Sequence, residues 1–405
     1  MSVARLEGGS TTAISLSDRA RSLEAFLLSR AATNELQGKL GDDVITALRD
    51  AGLLSLWVPK QFGGFEAWPT ESLKTIEALS YADGSSAWVM MASQVSMGTA
   101  AAYLPPEAAR DVFGRSHPII AGQGAPLGRA EVCSGGYILN GSWSYGSGTL
   151  HADYIHTGGI VWVDGAPRKL QATNEVDARI FIVPAAKVQL LGNWDVIGLR
   201  GTGSVDYRIE NLFVPEEFTH SQTTRTPRQG GDLYRLGVWG LGAIGHAGFA
   251  LGVARRALDE VASIAKSAKG RPFTLSAFGG GESFREQYAS AEATLRAARS
   301  LLFDVWGTAE DRLRFSEEPT QREFTLIRLA LNHVTTTAMQ VCEFAYKYGG
   351  GVSLRSGTLQ RAFRDMCAGM QHLQTSPGIL RDCGEELLEL SPEKRWSPRG
   401  LVLPG

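Results

Sequence analysis

The sequence has few cysteines and no cysteine–histidine cluster. The 405-residue chain has four cysteines, Cys133, Cys342, Cys367 and Cys383. None forms a CxxC pair, and none lies near a histidine at the spacing of zinc ligands. The pattern therefore excludes the common structural zinc sites, predicts no bound metal, and favours buried, reduced thiols over a disulfide framework.

An excess of charge of one sign and a long apolar run are also missing. Lys and Arg number 40 and Asp and Glu number 42, which gives a formal net charge of -2. This balance gives no electrostatic reason to expect nucleic acid or an anionic membrane as a partner. No stretch approaches the apolar run needed to cross a bilayer, and residues 1–24 lack the apolar core of a signal peptide. We therefore expect a soluble, cytoplasmic protein.

The residues that are present divide the chain into three stretches. Residues 1–117 have a helical pattern, and the apolar spacing predicts helices over 43–51, 70–82 and 85–103. Residues 118–226 contain short β-branched and aromatic runs broken by Gly, Asn and Asp, such as GGYILNGSWSYGSG and ARIFIVP. Runs of this kind predict a small antiparallel barrel or sandwich.

The third stretch, residues 227–405, returns to the helical pattern. Four long amphipathic segments with short connections favour a four-helix bundle. The predicted organisation is thus an N-terminal helical domain, a central antiparallel β-barrel domain and a C-terminal four-helix-bundle domain. With helices and strands in separate segments, the fold class is α+β.

Three segments carry a resemblance to a known family. They are GGYILNGSWSYGSGTLHADY at 135–154, IGLRGTGSVDYRIENLFVPEE at 197–217 and YGGGVSLRSGTLQRAFRD at 348–365. Their order and content resemble the acyl-CoA dehydrogenase superfamily. The resemblance implies that superfamily's fold, with the glycine turn and tryptophan strand beside a flavin ring, and a homotetramer assembled through the helix bundle.

Two departures from the dehydrogenase pattern point to one branch of the superfamily. Leu373 stands where many dehydrogenases carry the glutamate that removes a substrate proton, and His372 precedes it. The segment AGQGAPLGRAEV replaces the acidic loop that contacts flavin and substrate. The sequence resembles the two-component flavin-dependent monooxygenases, which share the Trp143 to Gly148 turn, a histidine on the last core helix, and the helix start ADGSSAWVMM at 82–91.

This resemblance implies the oxygenase component of a two-component system. It would use reduced flavin, FAD or FMN, and dioxygen through a C4a-(hydro)peroxyflavin to hydroxylate a small aromatic or amine substrate. A separate flavin reductase is expected, since no GxGxxG follows a predicted strand to bind NAD(P)H. The alternatives are an FAD-dependent dehydrogenase or oxidase of the same fold, in which the base comes from another helix, and a non-catalytic relative.

The resemblance also implies roles for individual residues. Ser147, in its glycine-flanked turn, is expected to hold the flavin peroxide, and Trp143 to shield the ring. His372 is the expected acid–base residue, because histidine titrates near neutral pH. For both, the alternative is structural: a glycine-rich β-turn, and a histidine packed on its helix. His246 is a weaker candidate for the border of the substrate cavity.

The remaining flavin contacts are expected from residues spread along the chain. They are Tyr145 in the turn, Gln123 in the altered loop, Arg200, Thr202 and Ser204 in the following glycine turn, and Arg271. Together with Phe278 and Gln287, Arg271 is expected to reach the flavin of a neighbouring subunit.

Overall fold

The fold begins with a layer of helices. The computed structural model describes residues 14–114, 117–171, 174–267, 281–397 and 400–403. The N-terminal helices are α1 (Leu16–Ser22), α2 (Glu24–Gln37), α3 (Asp42–Asp50), α4 (Pro69–Ala82), α5 (Gly84–Tyr103) and α6 (Pro106–Phe113). The three helices expected from the apolar spacing correspond to α3, α4 and α5, with ends within one residue of those predicted.

Helix α5 is held at its start by a buried cap. The Asp83 carboxylate accepts hydrogen bonds from the Ser86 backbone N–H at 2.9 Å and from its hydroxyl. An aspartate at this position satisfies N–H groups that have no partner inside the helix. The cap fixes the register of α5, and thereby the position of Trp88 one turn later.

A mixed sheet follows the helices. Its strands are β1 (Ile120–Cys133), β2 (Gly136–Trp143), β3 (Tyr154–Val163), β4 (Ala166–Pro167), β5 (Ala178–Pro184), β6 (Gln189–Leu190), β7 (Tyr207–Pro215) and β8 (Thr219–Ser221). The order is β6-β7-β2-β1-β3-β5-β8, with β4 paired to β3. Among the described residues the sheet is open, so the predicted barrel is not confirmed. The prediction of a purely antiparallel sheet is wrong, because β1 and β3 run parallel.

The parallel pair is interrupted where β1 bulges. The register with β3 shifts between Gln123 and Pro126 and again before Gly128. A side chain at Gly158 on β3 would lie 2.2 Å from the Gly124 carbonyl oxygen and 2.5 Å from that of Ala125, so only glycine admits this approach. Bulges re-aim side chains, and this one sets the direction of Gln123.

The C-terminal helices complete the core. They are α7 (Gly237–Ser267), α8 (Glu282–Arg314), α9 (Gln321–Gly349), α10 (Thr358–Gly369) and α11 (Gly378–Leu387), followed by the hairpin β9 (Arg395–Ser397) and β10 (Gly400–Val402). The fourth segment predicted for the bundle is therefore two short helices with a break at 370–377. The helices of the first and third stretches share one hydrophobic core, and the domain boundaries at 117 and 226 stay a prediction.

One described segment, Asp232–Ser267, is long and apolar enough to cross a bilayer by length and composition. The sequence-based expectation that no stretch approaches the apolar run needed to cross a bilayer is therefore wrong. Of its most apolar window, 89% is buried inside the fold. The segment contains α7, which packs against α4, α5, α9 and α10 as the central helix of the core.

Candidate functional site

A chain of hydrogen bonds joins α5 to two loops of the sheet. The Trp88 indole N–H donates to the Ser147 hydroxyl at 3.1 Å. The Ser147 and Ser204 hydroxyl oxygens lie 2.7 Å apart, and the Ser204 and Thr202 hydroxyl oxygens also lie 2.7 Å apart. Thr202 donates to the Leu199 carbonyl at 2.8 Å. The structure therefore brings Ser147 together with Thr202 and Ser204, which the sequence predicted in a separate glycine turn.

The two ends of this chain fix the direction of every bond in it. An indole N–H can only donate and a carbonyl oxygen can only accept, whereas each hydroxyl has a single proton. Thr202 gives its proton to Leu199, so Ser204 must donate to Thr202 and Ser147 must donate to Ser204. The Ser147 oxygen then accepts from Trp88 and keeps one lone pair without a partner among the described residues.

The turn that carries Ser147 is built from unusual backbone angles. Tyr145 has a φ of 64° and Gly148 a φ of 82°, and the second of these favours glycine. The Gly146 N–H donates to the Val205 carbonyl at 3.0 Å, which holds the turn against the loop that contains Ser204. Ser147 is 7% exposed, so its hydroxyl points into the protein interior.

A cluster of four rings lies beside this chain. The Trp88 ring packs edge-on against Phe249 and His246, each with ring centroids 5.0 Å apart. The rings of His246 and His372 lie 3.9 Å apart at an angle of 31°. Trp88 thus connects the hydroxyl of Ser147 to both histidines, and its indole is shared by the two parts of the site.

His372 lies in the break between α10 and α11, so the prediction that it lies on the last core helix is wrong. It caps a short 3-10 turn, Leu373–Thr375, and its Nδ1 accepts from the Gln374 backbone N–H at 3.3 Å. Because Nδ1 accepts, the neutral imidazole has its proton on Nε2. His372 therefore presents an N–H donor, while Leu373 is 65% exposed.

Both histidines of the cluster are neutral at physiological pH. His372 is an exposed residue, although the protein packed around its imidazole lowers its pKa to about 4. Burial, with the neighbouring His372 as a smaller cause, lowers the pKa of His246 well below its usual value. His246 Nδ1 is buried without a hydrogen-bond partner among the described residues. The site therefore combines neutral rings with a polar atom that is available to a ligand.

The other residues of the predicted turn differ in accessibility. Trp143 is 1% exposed, stacks on Tyr207 at 5.3 Å, and donates to the Gly158 carbonyl at 2.9 Å. These contacts fit support of the sheet beneath the turn, and its contact with flavin stays a prediction. Tyr145 is 65% exposed and packs edge-on against Trp194, which leaves its ring accessible.

The other residues predicted to contact flavin are spread over more of the chain. Gln123 Oε1 is buried and without a partner in the described part of the chain, whereas Arg200 is exposed. Gln287 Nε2 donates to the Tyr348 hydroxyl at 2.7 Å, between α8 and α9. Arg271 and Phe278 lie outside the described residues, so their predicted role is unchanged.

A buried carboxylate holds the loop that ends the hydroxyl chain. Asp365 on α10 is 2% exposed and accepts a 2.6 Å hydrogen bond from the Leu199 N–H. Leu199 has a φ of 53°, a conformation that costs free energy for a residue with a side chain. Asp365 thereby positions Thr202 and Ser204.

Asp365 is expected to make stability depend on pH. Burial raises its pKa from 3.8 to about 7, with Asp83 and Glu35 adding to the shift and the Leu199 N–H and Arg364 opposing it. Between pH 4 and 7 the folded protein keeps a proton that the unfolded chain releases, so this group's contribution to the unfolding free energy falls as pH rises. Asp365→Asn removes this pH-dependent contribution and keeps an acceptor for the Leu199 N–H. From pH 5 to 8, we expect the unfolding free energy of the variant to gain about 2 to 3 kcal/mol relative to the unaltered protein.

Urea denaturation at these two pH values measures that difference, and the histidine contributions cancel because both proteins contain them. If the unfolding free energies of the two proteins change equally between pH 5 and 8, Asp365 has the same pKa in the folded and unfolded chains, and the prediction is wrong.

Comparisons with known proteins identify the family of this site. Family models described as "Acyl-CoA dehydrogenase, N-terminal domain" and "Acyl-CoA dehydrogenase, C-terminal domain" match residues 15–111 and 244–377. Indole-3-acetate monooxygenase of Pseudomonas putida is 31% identical over 354 residues, which cover 85% of this chain and 86% of that protein. The chain belongs to the acyl-CoA dehydrogenase superfamily, in its branch of flavin-dependent monooxygenases.

Further relatives agree with this assignment. The "Flavin-dependent monooxygenase, oxygenase subunit HsaA" of Rhodococcus jostii is 29% identical over 374 residues, covering 87% of this chain and 92% of that protein. The crystal structure of 3-HSA hydroxylase from Rhodococcus sp. RHA1 has a TM-score of 0.86 at 26% identity, covering 94% of this chain and 98% of that one. The predicted superfamily fold and the activity of a monooxygenase that uses reduced flavin are confirmed.

Two rings of the cluster, Trp88 and Phe249, have no role assigned from the sequence. Trp88 was recognised only as part of the helix start ADGSSAWVMM, as a mark of the branch. Its position two residues after Ser86, in the first turns of a capped helix, was the available signal. What the sequence could not provide was the fold that places its indole between Ser147 and His246.

Proposed function

We propose that this monooxygenase hydroxylates a small aromatic substrate, bound against the cluster of Trp88, His246 and His372. The observation that carries the proposal is the tilted contact of two neutral imidazoles, with ring centroids 3.9 Å apart, beside the indole that bonds Ser147. Flat rings prefer aromatic neighbours in edge-on or offset packing. The name of the Pseudomonas relative, indole-3-acetate monooxygenase, supports the same class.

The residues of the site fit reduced flavin. The partnerless lone pair of Ser147 can accept from the N–H that a flavin carries at N5 only when it is reduced. Gln123 Oε1, buried and without a partner among the described residues, is a second acceptor for a ring N–H. When bound, reduced flavin supplies the activation of dioxygen. Thr202 and Ser204 hold Ser147, and we expect the exposed Tyr145, in the same turn as Ser147, and the exposed Arg200, next to Leu199, to contact the flavin.

The protein's part in the reaction is positioning and exclusion of water. Neutral His372 donates from Nε2 to an oxygen atom at the reacting carbon and orients it. Its Nδ1 can take a proton only when the 3.3 Å bond from the Gln374 N–H is released. Trp88 and Phe249 close the apolar side of the cluster, and His246 Nδ1 adds one polar contact for the substrate. Leu373 has no acid group, which supports oxygenation over removal of a substrate proton by a carboxylate at this position.

The proposal extends to the protein's partners. A separate reductase supplies the reduced flavin, as the name "oxygenase subunit" of the Rhodococcus relative supports. We infer a homotetramer in the cytoplasm, following the sequence-based expectation. Both FAD and FMN remain candidates, since the contacts above involve only the flavin ring.

The substrate class can be tested directly. We expect chemically reduced FAD or FMN, added with oxygen, to convert indole-3-acetate or another one- or two-ring aromatic compound to a hydroxylated product. Mass spectrometry of products from reactions in labelled dioxygen should show one incorporated oxygen atom. Failure to bind reduced flavin under anaerobic conditions, or reduction of bound oxidised flavin by an acyl thioester, would contradict the proposal.

A further inference from the structure

A buried arginine on α9 lies between two tryptophans. The Arg328 guanidinium carbon is 3.6 Å from the ring centroid of Trp239 and 4.2 Å from that of Trp396. The side chain is nearly fully buried, with the residue 3% exposed. Stacking on two indoles holds the guanidinium in one plane and stabilises its charge from both faces.

The edges of this guanidinium lack partners. One nitrogen, Nη2, donates to the Ser397 carbonyl at 3.0 Å. Nε and Nη1 are buried without a hydrogen-bond partner among the described residues, and no described carboxylate forms an ion pair with Arg328. Asp382 is near enough to affect its pKa, but its oxygens bond to Arg381 and to the Leu401 N–H.

A buried guanidinium without a counter-ion is unfavourable in a protein that has no ligand bound. A buried charge without a counter-ion costs several kcal/mol, and buried N–H groups without acceptors add to that. Burial accordingly lowers the pKa of Arg328 to about 9, against the smaller opposing effects of Cys383 and Asp382. A bound anion would satisfy both the charge and the donors.

Arg328 lies on the same side of α7 as the ring cluster. Trp239, Gly242 and His246 follow one another at helical spacing along one face. A side chain at Gly242 would lie 2.8 Å from Gln374 Nε2, and that nitrogen donates to the Trp239 carbonyl. Seven residues of helix, from Trp239 to His246, rise about 10 Å.

Gln374 connects the arginine to the proposed active site. Its backbone N–H bonds His372, its side chain bonds Trp239, and its carbonyl accepts from Asn332, one turn after Arg328 on α9. Gln374 Oε1 and Trp239 Nε1 are also buried without described partners. The buried polar atoms of Arg328, Gln374 and Trp239 that have no described partner therefore lie together at one end of the site.

We propose that Arg328 binds the carboxylate of an aromatic acid whose ring lies at His372 and His246. The inference rests on the proposed aromatic oxygenation and narrows its substrate class to acids with a short chain between ring and carboxylate. A carboxylate that reaches either edge of the guanidinium meets a donor without a partner, and charge-assisted bonds of this type are the strong ones. The two tryptophans restrict the anion to the plane of the guanidinium.

The test compares indole-3-acetate with indole-3-acetamide, its neutral counterpart of the same shape. Calorimetric titration should show that the protein prefers the acid by about 10- to 100-fold, the effect of hydrogen bonds to a charged group. In Arg328→Gln the ratio of the two dissociation constants should fall to about one. Arg328→Lys should retain part of the preference, since it keeps the charge and loses the planar donors.

Arg322→Gln is the matched control. Arg322 lies on the same helix, but it is half-exposed and pairs with Glu386 and Glu389. This change should leave the preference for the acid as it was. Thermal unfolding of Arg328→Gln should show that the variant still folds, although it loses the stacking on Trp239 and Trp396 together with the buried charge.

Other outcomes would overturn the proposal. An equal loss of affinity for acid and amide would make Arg328 a structural residue. Weaker binding of reduced FMN with no change for reduced riboflavin would assign the anion to the flavin phosphate. Binding requires no turnover, so these results are distinguishable from failure of the proposed oxygenation, in which neither compound yields product.

Discussion

Changing His372 to alanine is expected to lower the yield of hydroxylated product by at least about 100-fold, the usual scale for loss of a positioned acid–base or hydrogen-bonding group. The lost product should be replaced by hydrogen peroxide, because oxygen still reacts with reduced flavin when the substrate is not held in place. Binding of reduced flavin should change by less than about threefold, since Ser147 and Gln123 are untouched. Product and peroxide per flavin oxidised, together with anaerobic flavin titration, measure the three quantities.

The tautomer of His372 gives this prediction a sharper form. With Nδ1 accepting from Gln374, the active group is the Nε2 N–H, and a glutamine side chain can present an N–H at a similar distance. His372→Gln should therefore retain clearly more product than His372→Ala. If His372 acts as a base, glutamine cannot replace it, and the two variants should be equally impaired.

The pH profile supplies an independent check. Because burial lowers the pKa of His372 to about 4, its imidazole stays neutral from pH 6 to 8. The rate of the step in which His372 takes part should therefore not depend on pH in that range. A pH dependence centred near 6.5 that is lost in His372→Ala would contradict this. His333→Ala is the control, since His333 is exposed like His372 but lies on α9, outside the ring cluster.

The sequence was sufficient where local rules and packing agree. The apolar spacing predicts a helix over 85–103, and the structure has that helix, α5, with the same end at Tyr103. The glycines around Ser147 predict a tight turn for the same reason, because the backbone angles at Gly148 are ones that other residues avoid. The family resemblance implies that this turn lies beside a flavin.

The failures concern features that depend on distant residues. The segment around His372 has a helical pattern, but Thr375 and Gln374 bond back to the 370–372 backbone and to Trp239 and end the helix there. The parallel pairing of β1 with β3 requires Gly158 to meet the Gly124 carbonyl, a contact that no local pattern encodes. Arg328 looks like an ordinary helix arginine until Trp239 and Trp396, far apart in the chain, enclose it.

Changing Ser147 to alanine is expected to reduce both stability and coupling. The buried Trp88 N–H would lose its acceptor, which costs about 1 to 3 kcal/mol of unfolding free energy. Product per flavin oxidised should fall by about tenfold or more, because the ring would lose a hydrogen bond that orients it. Denaturant unfolding and product analysis measure the two effects, and Ser142→Ala, at an exposed serine on β2, is the control.

A double variant separates the hydrogen bond from general disruption. Trp88→Phe removes the N–H donor, so adding Ser147→Ala to it leaves no buried donor without a partner. The cost of Ser147→Ala should therefore be smaller in the Trp88→Phe background, by about 1 kcal/mol or more. Equal costs in both backgrounds would show that the 3.1 Å contact contributes nothing to stability.

The direction of the hydroxyl chain leads to a preference between the two states of flavin. Ser147 gives its proton to Ser204, so it meets a ligand as an acceptor, which suits the N–H at N5 of reduced flavin and not the lone pair found there in oxidised flavin. Ser204→Ala frees the Ser147 proton for donation.

The ratio of oxidised to reduced flavin dissociation constants should then fall in Ser204→Ala by about 2- to 12-fold, the value of one neutral hydrogen bond. Thr202→Val should act in the same direction but less strongly, because Ser204 can still accept from Ser147 and turn its own proton elsewhere. A ratio unchanged in Ser204→Ala would mean that Ser147 already donates to the flavin, and that the chain runs differently once the ring is bound.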